Sequence, residues 1–305
     1  MKKRGISKKE IFGTLLVLMT AIISGFSIIA NKFFVASIDP LLFTALRSFF
    51  IGIIFFGISL YFYKKNNFKK LNKTPWKNLL LIGIIGGGFA FWLFFSGLKL
   101  TLGSRAAFLH KTLPIYACIL GFIFLKEKIT KKQLIAISIM LSGLLAMQLT
   151  KLSLDIRIGD FLVLGATILW AVENVISKKV MNKNESNWIV TFSRMFFGSL
   201  ILFAIIFLTQ KTNLIFSLTK PQLIYILFSG IFLFLYVLTW YWGLKYINLS
   251  KASTILLLAP VVSLIFGVLW LKESVSILQL IGSILILFGA YIIVTIKSEK
   301  RIKEI

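Results

Sequence analysis

Ten long apolar stretches, separated by short charged or turn-rich breaks, dominate this sequence. They cover residues 11–31, 41–63, 77–98, 105–125, 132–150, 158–178, 188–209, 221–243, 251–271 and 277–296. A helix of roughly 20 apolar residues crosses the hydrocarbon core of a bilayer, which is about 30 Å thick. The 305-residue chain is 58% hydrophobic with a mean hydropathy of +0.92, so these stretches leave little length for a soluble domain. We therefore predict an all-α polytopic membrane protein with ten transmembrane helices.

The positions of the basic residues predict how these helices are oriented. The net charge of +25 would suggest nucleic-acid binding in a soluble protein. Here Lys and Arg lie almost entirely between the apolar stretches, where they face lipid headgroups. With a cytoplasmic N-terminus, 24 of the 35 Lys and Arg residues fall on the cytoplasmic side, eight fall outside and three lie within spans. We expect a multi-pass protein of the cell membrane with both termini cytoplasmic, surrounded by lipid and not bound to nucleic acid.

Residue types that catalyse reactions or bind metals are scarce. Cys118 and His110 are the single Cys and the single His, too few for an intrachain disulfide or a zinc site. The motifs GxxxxGKS/T, HExxH and GxSxG are absent, and no acidic cluster suits a metal. We therefore expect no cofactor, no metal, no ATP hydrolysis and no enzymatic activity.

The sequence repeats itself at an offset of 146 residues. GTLLVLMTAII from Gly13 aligns with GDFLVLGATIL from Gly159, and Pro114 aligns with Pro260. Further matches are Gly97 with Gly243, Ser104 with Ser250, Glu127 with Glu273, Gly143 with Gly289 and, at an offset of 147, Arg47 with Arg194. The matched Gly, Pro, Arg and Glu are not apolar filler, so the agreement indicates a true internal repeat.

Each half of the chain, residues 1–150 and 151–305, contains five predicted spans. Because five is odd, the second half enters the membrane in the opposite direction to the first. The sequence therefore predicts two inverted five-helix repeats. This arrangement suits alternating access, with a substrate site near the midplane where the halves meet.

These motifs resemble the EamA family of the drug/metabolite transporter superfamily. They comprise an Arg early in the second helix of each half and a Pro followed thirteen residues later by a Glu. The family's usual Gly-Glu at the end of the fourth helix is replaced by Lys126-Glu127 and Lys272-Glu273. The resemblance covers about residues 11–296. It implies a central cavity surrounded by helices one, three, four, six, eight and nine, and export of amino acids or similar metabolites.

Glu173 is the most deeply placed charge, about 15 residues into the sixth span. A charge at the centre of a bilayer costs several kcal/mol, so such a residue is a functional candidate. Glu173 is predicted to couple transport to protons or to bind a substrate amine, and its neighbours Trp170 and Asn174 are candidates for the same cavity. The alternative is a structural ion pair or a protonated, hydrogen-bonded acid.

Lys111 and His110 form a basic pair in the fourth span with no counterpart in the second half. Pro114 removes one helical hydrogen bond and can open the backbone there. Lys111 is predicted either to pair with Glu173 or to meet a substrate carboxylate, and snorkelling toward the outer interface is the alternative. His110 is a candidate for a proton relay, although packing in the helix bundle explains it equally simply.

The other candidates are polar residues of the first two spans of each half and aromatic residues of spans three and eight. Ser24 and Ser27 would offer hydroxyls to a substrate or bond neighbouring helices. The family resemblance implies that Arg47 and Arg194 gate the site or contact substrate, and snorkelling toward headgroups is the alternative. The selected aromatic residues, which would wall a pocket or face lipid, are Trp92, Tyr236 and Trp240.

The leading hypothesis is a secondary transporter of a small, amino-acid-like metabolite, driven by a proton gradient or by solute exchange. A channel or a lipid scramblase is the alternative, because an inverted repeat also builds pores. An intramembrane enzyme is less favoured. A monomer and a homodimer both remain open.

Overall fold

The computed structural model describes residues 6–34, 38–65, 75–149, 156–183 and 185–298. Every regular element in these ranges is a helix. The first half contains α1 (Lys8–Phe34), α2 (Pro40–Lys65), α3 (Trp76–Ile82), a π-helical segment (Gly83–Phe89), α4 (Ala90–Leu100), α5 (Gly103–His110), α6 (Leu113–Phe124) and α7 (Lys131–Gln148). The second half contains α8 (Ile158–Asn182), α9 (Asn187–Leu208), α10 (Asn213–Phe216), α11 (Lys220–Tyr246), α12 (Leu249–Ile255), a 3-10 turn (Leu256–Leu258), α13 (Ala259–Leu271) and α14 (Ile277–Thr295).

Within the described ranges, nine helical spans are long and apolar enough to cross a bilayer. The chain is therefore an all-helical, polytopic membrane protein. Helix α7 corresponds to the predicted fifth span but is not one of the nine. It is 18 residues long, begins with Lys131 and Lys132, and packs along α14.

Polar side chains at the chain reversals determine where several helices begin. Thr130 accepts a hydrogen bond from the backbone N–H of Gln133 and so caps α7. Ser276 does the same for Gln279 at the start of α14. Asp39 accepts from the N–H of Leu41 at the start of α2. Such caps satisfy N–H groups that have no partner within the helix.

Glycines bring the two halves of the chain into close contact. A methyl group added at Gly13 in α1 would lie 3.1 Å from the carbonyl oxygen of Gly243 in α11. One added at Gly97 in α4 would lie 2.7 Å from the carbonyl oxygen of Gly159 in α8. Helix α2 packs on α9 in addition to the α7–α14 contact. Small residues allow this approach in lipid, where packing and not hydrophobic burial joins helices.

Two broken helices meet the centre of the molecule. The helix over residues 103–124 is interrupted at Lys111 and Thr112, and the one over residues 249–271 contains the 3-10 turn Leu256–Leu258. Both interruptions precede a proline, whose missing N–H and bulky ring disrupt the helical hydrogen bonds. The prediction that the backbone opens near Pro114 is confirmed.

Candidate functional site

A cavity of about 320 Å³ lies between the two halves of the chain. Side chains from α1, α2, α4, α8, α9 and α11 line it, together with the two helix breaks. Its volume lies at the lower end of the range found for small-molecule sites, about 300–1,000 Å³. Ten of the twelve predicted residues line this cavity: Ser24, Ser27, Arg47, His110, Lys111, Trp170, Asn174, Arg194, Tyr236 and Trp240.

Trp92 does not line the central cavity, which corrects its predicted place in the pocket wall. Its indole is 38% exposed and borders a separate small pocket beside Asp39. Phe91, Phe94 and Phe95 face the central cavity instead. Successive residues of a helix point about 100° apart. Trp92 therefore points away from the cavity although Phe91, Phe94 and Phe95 on the same helix face it.

Glu173 lies behind the cavity wall and is completely buried. Its Oε1 accepts hydrogen bonds from the Tyr241 hydroxyl at 2.5 Å and the Ser177 hydroxyl at 2.6 Å. Its Oε2 lies 3.7 Å from Nε of Arg194, close enough for an ion pair but too far for a hydrogen bond. A methyl group at Gly86, in the π-helical segment, would overlap the Glu173 side chain.

These contacts correct the expected pairing of Glu173 with Lys111. The ion-pair partner of Glu173 is Arg194, whose guanidinium carbon also lies 5.9 Å from the centre of the Tyr241 ring. Arg194 lines the cavity, whereas Glu173 does not. The Glu173 carboxylate therefore forms an ion pair behind the cavity wall and does not line the space where a substrate amine would bind.

Trp170, Asn174 and Trp240 form one hydrogen-bonded network in the cavity wall. The Asn174 amide nitrogen donates to the carbonyl oxygen of Trp170, and the Trp240 indole donates to the Asn174 side-chain oxygen. The Trp170 indole donates to the carbonyl oxygen of Gly86. The His110 ring lies 4.7 Å from that of Trp170, between centroids. These hydrogen bonds fix the orientation of the Trp170 and Trp240 indoles, which form an aromatic part of the cavity wall.

Lys111 lies at the break between α5 and α6. No hydrogen bond or ion pair joins it to another side chain in the part of the chain that the structure describes. The side chain instead borders both the central cavity and a neighbouring cavity of about 190 Å³. Lys111 therefore borders the site with no ion-pair partner among the described residues.

Arg47 is held in the cavity wall by neutral groups. It donates from Nη1 to the Ser229 hydroxyl at 3.2 Å, and its guanidinium carbon lies 5.1 Å from the centre of the Phe43 ring. Ser229 donates to the side-chain oxygen of Asn31, whose nitrogen donates to Ser27. Sequence reasoning missed Asn31 and Ser229. The signal for Asn31 was its position four residues after Ser27, on the same helix face.

Glu127 closes one end of the space between the halves. Its carboxylate accepts from the N–H of Leu249 at 2.6 Å, the N–H of Ser250 at 3.0 Å and the Ser250 hydroxyl at 2.7 Å. Beside it, Lys251 pairs with Glu10 at 3.2 Å. We call these five residues the Glu127 end. All five residues are at least 95% buried, and Glu127 itself is 2% exposed.

At the opposite end two of the equivalent residues are exposed, whereas Arg105, the counterpart of Lys251, forms an ion pair with Asp160 at 3.1 Å. Gly103 and Glu273, which correspond to Leu249 and Glu127 in the repeat, are exposed. The neighbouring cavity, which shares Ile28 and Lys111 with the central one, is bordered by Glu273 and Ala107. We call this the Glu273 end. The site is therefore closed toward α12 and accessible beside α5.

Comparison with known proteins agrees with this architecture. The model of the EamA-like transporter family matches residues 11–149 and 157–295. A solved crystal structure superposes with a TM-score of 0.78 at 18% identity, covering 92% of this chain and 96% of that one, which supports the fold.

Related sequences span nearly the whole chain. An uncharacterized transporter of Archaeoglobus fulgidus is 30% identical over 283 residues, covering 90% of this chain and 96% of its own length. The uncharacterized transporter YoaV of Bacillus subtilis is 26% identical over 280 residues, covering 90% and 94% respectively. The "Probable amino-acid metabolite efflux pump" of Salmonella typhimurium is 27% identical over 305 residues, covering 94% and 95%.

Proposed function

Because the chain belongs to the EamA-like transporter family, we propose that it is a secondary transporter that exports small, amino-acid-related metabolites across the cell membrane by alternating access. The observation that carries this proposal is the cavity between the halves, closed at the Glu127 end and accessible at the Glu273 end. A carrier needs such a site to be reached from one side at a time.

The ten-helix, two-repeat organisation is part of the same proposal. The contact of Gly13 with Gly243 and that of Gly159 with Gly97 join equivalent positions of the two halves with their roles exchanged. The two helix breaks also lie at equivalent positions. Both observations support two inverted repeats over residues 1–150 and 151–305, with α7 as the fifth span of the first.

With cytoplasmic termini, the Glu127 end faces the cytoplasm and the described conformation is open to the outside. An exporter would release its solute from this state. The related Salmonella protein is named as an efflux pump for amino-acid metabolites, which supports the outward direction and the solute class. The relatives carry the names of transporters, in agreement with a protein that is not an enzyme.

The position of Glu173 favours solute exchange over proton coupling. Its carboxylate is fully buried and engaged by Tyr241, Ser177 and Arg194. We expect Glu173→Gln to lower transport without changing the shape of its pH dependence, measured as flux between pH 5.5 and 8.5. Loss of a pH dependence that the wild type shows would instead establish Glu173 as a coupling residue.

Counterflow in proteoliposomes tests the transporter proposal. Purified protein is reconstituted, loaded with unlabelled amino acids or the corresponding 2-oxo acids, and given the labelled solute outside. A carrier gives saturable uptake that unlabelled internal solute stimulates. Uptake that neither saturates nor responds to internal solute indicates a channel, and movement of labelled lipid between leaflets indicates a scramblase. Protein-free liposomes serve as the control.

A further inference from the structure

The charged side chains that line the central cavity all have the same sign. Arg47, Lys111 and Arg194 contribute three cations, and no Asp or Glu lines the cavity among the described residues. Glu173 lies behind this wall and is paired with Arg194, and Glu273 borders the neighbouring cavity. The charge of Arg194 is therefore compensated, whereas those of Arg47 and Lys111 have no ion-pair partner in the described ranges.

Arg47 and Lys111 have no carboxylate partner within the described part of the chain. Arg47 bonds the neutral Ser229, and its buried Nε has no hydrogen-bond acceptor. Lys111 borders the cavity at a helix break. An uncompensated cation in the middle of a membrane costs several kcal/mol. A bound anion would reduce this cost at both side chains.

Much of the rest of the wall is aromatic, and its Asn174 amide already has hydrogen-bond partners. Phe91, Phe94 and Phe232 line the cavity with the two indoles described above. The Asn174 side chain donates a hydrogen bond to Trp170 and accepts one from Trp240. An ammonium group would find neither a free carboxylate nor this amide as an acceptor. Its attraction to aromatic faces would be opposed by two nearby cations.

We propose, on the premise that the chain is the transporter inferred above, that its substrate is an organic anion. The solute would combine a carboxylate with an aromatic or bulky apolar body and would need no amino group. A 2-oxo or 2-hydroxy acid fits this description better than the corresponding amino acid. The carboxylate is recognised by Lys111 and Arg47, and the apolar body contacts the aromatic wall.

Three probes of similar shape and different charge test the proposal. Phenylpyruvate is an anion, phenylalanine a zwitterion and phenethylamine a cation at pH 7. Binding is measured by thermal stabilisation of the purified protein in detergent, since a ligand stabilises the state that it binds. We expect phenylpyruvate to bind at least about ten times more tightly than phenylalanine, and phenethylamine to bind more weakly still. Equal or tighter binding of either amine, or no binding of phenylpyruvate, overturns the proposal.

Charge-removing variants locate the anion site. A hydrogen bond to a charged group contributes about 1.5–3 kcal/mol, so Lys111→Gln and Arg47→Gln should each weaken phenylpyruvate binding about tenfold or more. Lys111→Arg should restore most of the affinity. Lys99→Gln is the matched control, because Lys99 lies outside the central cavity, 4.0 Å from Asp39. The control should change affinity less than twofold or so, as expected for a remote surface charge.

The outcomes separate this proposal from the transporter function itself. Saturable counterflow of phenylalanine that Lys111→Gln leaves unchanged would retain the transporter and reject the anion site. Failure of every solute to show saturable counterflow would reject the transporter, while the binding measurement would still decide whether the cavity prefers anions. The melting temperature without ligand shows whether each variant is folded.

Discussion

Glu127 and Glu273 hold equivalent positions in the two halves of the chain and have opposite environments. At one end Glu127 accepts three hydrogen bonds from the start of α12, and Leu249 and Ser250 are completely buried. At the other end Glu273 and Gly103 are exposed. The two ends share the Glu and Ser positions of the repeat but differ in the neighbours of the Glu, with Leu249 matched by Gly103 and Lys251 by Arg105. In the proposed alternating-access mechanism, exchange of the two environments would convert the outward-open state into the inward-open one.

The two halves of the chain also differ in their buried charges. Glu173 in the second half aligns with Ser27 in the first, so its carboxylate has no acidic counterpart. Removing its carboxylate leaves Arg194 as an unpaired charge. Breaking a buried pair costs about 3–5 kcal/mol, so we expect Glu173→Ala to lower the free energy of unfolding by about 3 kcal/mol. Unfolding of the purified protein in detergent measures this loss. In the double variant Glu173→Ala with Arg194→Gln, the loss should be smaller than the sum of the losses in the two corresponding single variants, and simple additivity would contradict the ion pair.

The next largest effect is expected at Glu127. Glu127→Ala leaves two buried N–H groups and one hydroxyl without their acceptor, and each unsatisfied group costs about 1–3 kcal/mol. Partial access of water reduces the total, and we expect a loss of about 2 kcal/mol. Glu273→Ala at the exposed end should cost less stability than Glu127→Ala, because water can satisfy the exposed groups that it leaves. Equal losses at both positions would show that the two ends do not differ as described.

Thiol labelling compares the accessibility of the two ends directly. Ala107 is exposed and its repeat counterpart Ser253 is 1% exposed. In a Cys118→Ser background, a membrane-impermeant maleimide should label Ala107→Cys at least about ten times faster than Ser253→Cys, because labelling follows the exposure of the thiol. The comparison uses inside-out and right-side-out vesicles. Comparable rates at the two positions would mean that both ends are open.

The smallest effect is expected at Asp39, which ties the start of α2 to the second half at the Glu273 end of the molecule. Burial raises the pKa of Asp39, but hydrogen bonds from the N–H groups of Leu42 and Leu41 and the charge of Lys211 lower it more, leaving a pKa below the usual 3.8. A lowered folded-state pKa gives stability above pH 3.8 that is lost as the pH falls through the folded-state value.

Asp39→Ala should therefore destabilise the protein by about 1 kcal/mol or less at pH 7, the usual cost of losing an N-cap. The difference from the wild type should shrink as the pH is lowered below about 4, measured by melting temperature. A difference that grew on acidification would reverse the assigned sign. Lys220→Ala, an exposed change on the same side, is the control.

Hydropathy and repetition predicted the helical segments well, because a segment must be apolar along its whole length to cross lipid. The predicted span 158–178 lies within Ile158–Asn182, for example. Pro114 likewise predicted an opened backbone, since that effect depends on the local covalent structure of proline. These features are properties of a single segment and its neighbours along the chain.

Rotation about the helix axis could not be predicted from the sequence. Packing against Tyr241 and Arg194 turns Glu173 out of the cavity, while Asn174, one residue later, faces it. Trp92 and Phe91 differ in the same way.

The sequence by itself determined the membrane-spanning helices, their repetition and the few charges placed within them, because lipid penalises any other composition. The tertiary structure alone decided which of those charges meet each other and which face the cavity. It also decided which of two equivalent ends is closed. The physical reason is that these outcomes depend on contacts between helices far apart in the chain, where neighbouring residues of one helix point in directions about 100° apart.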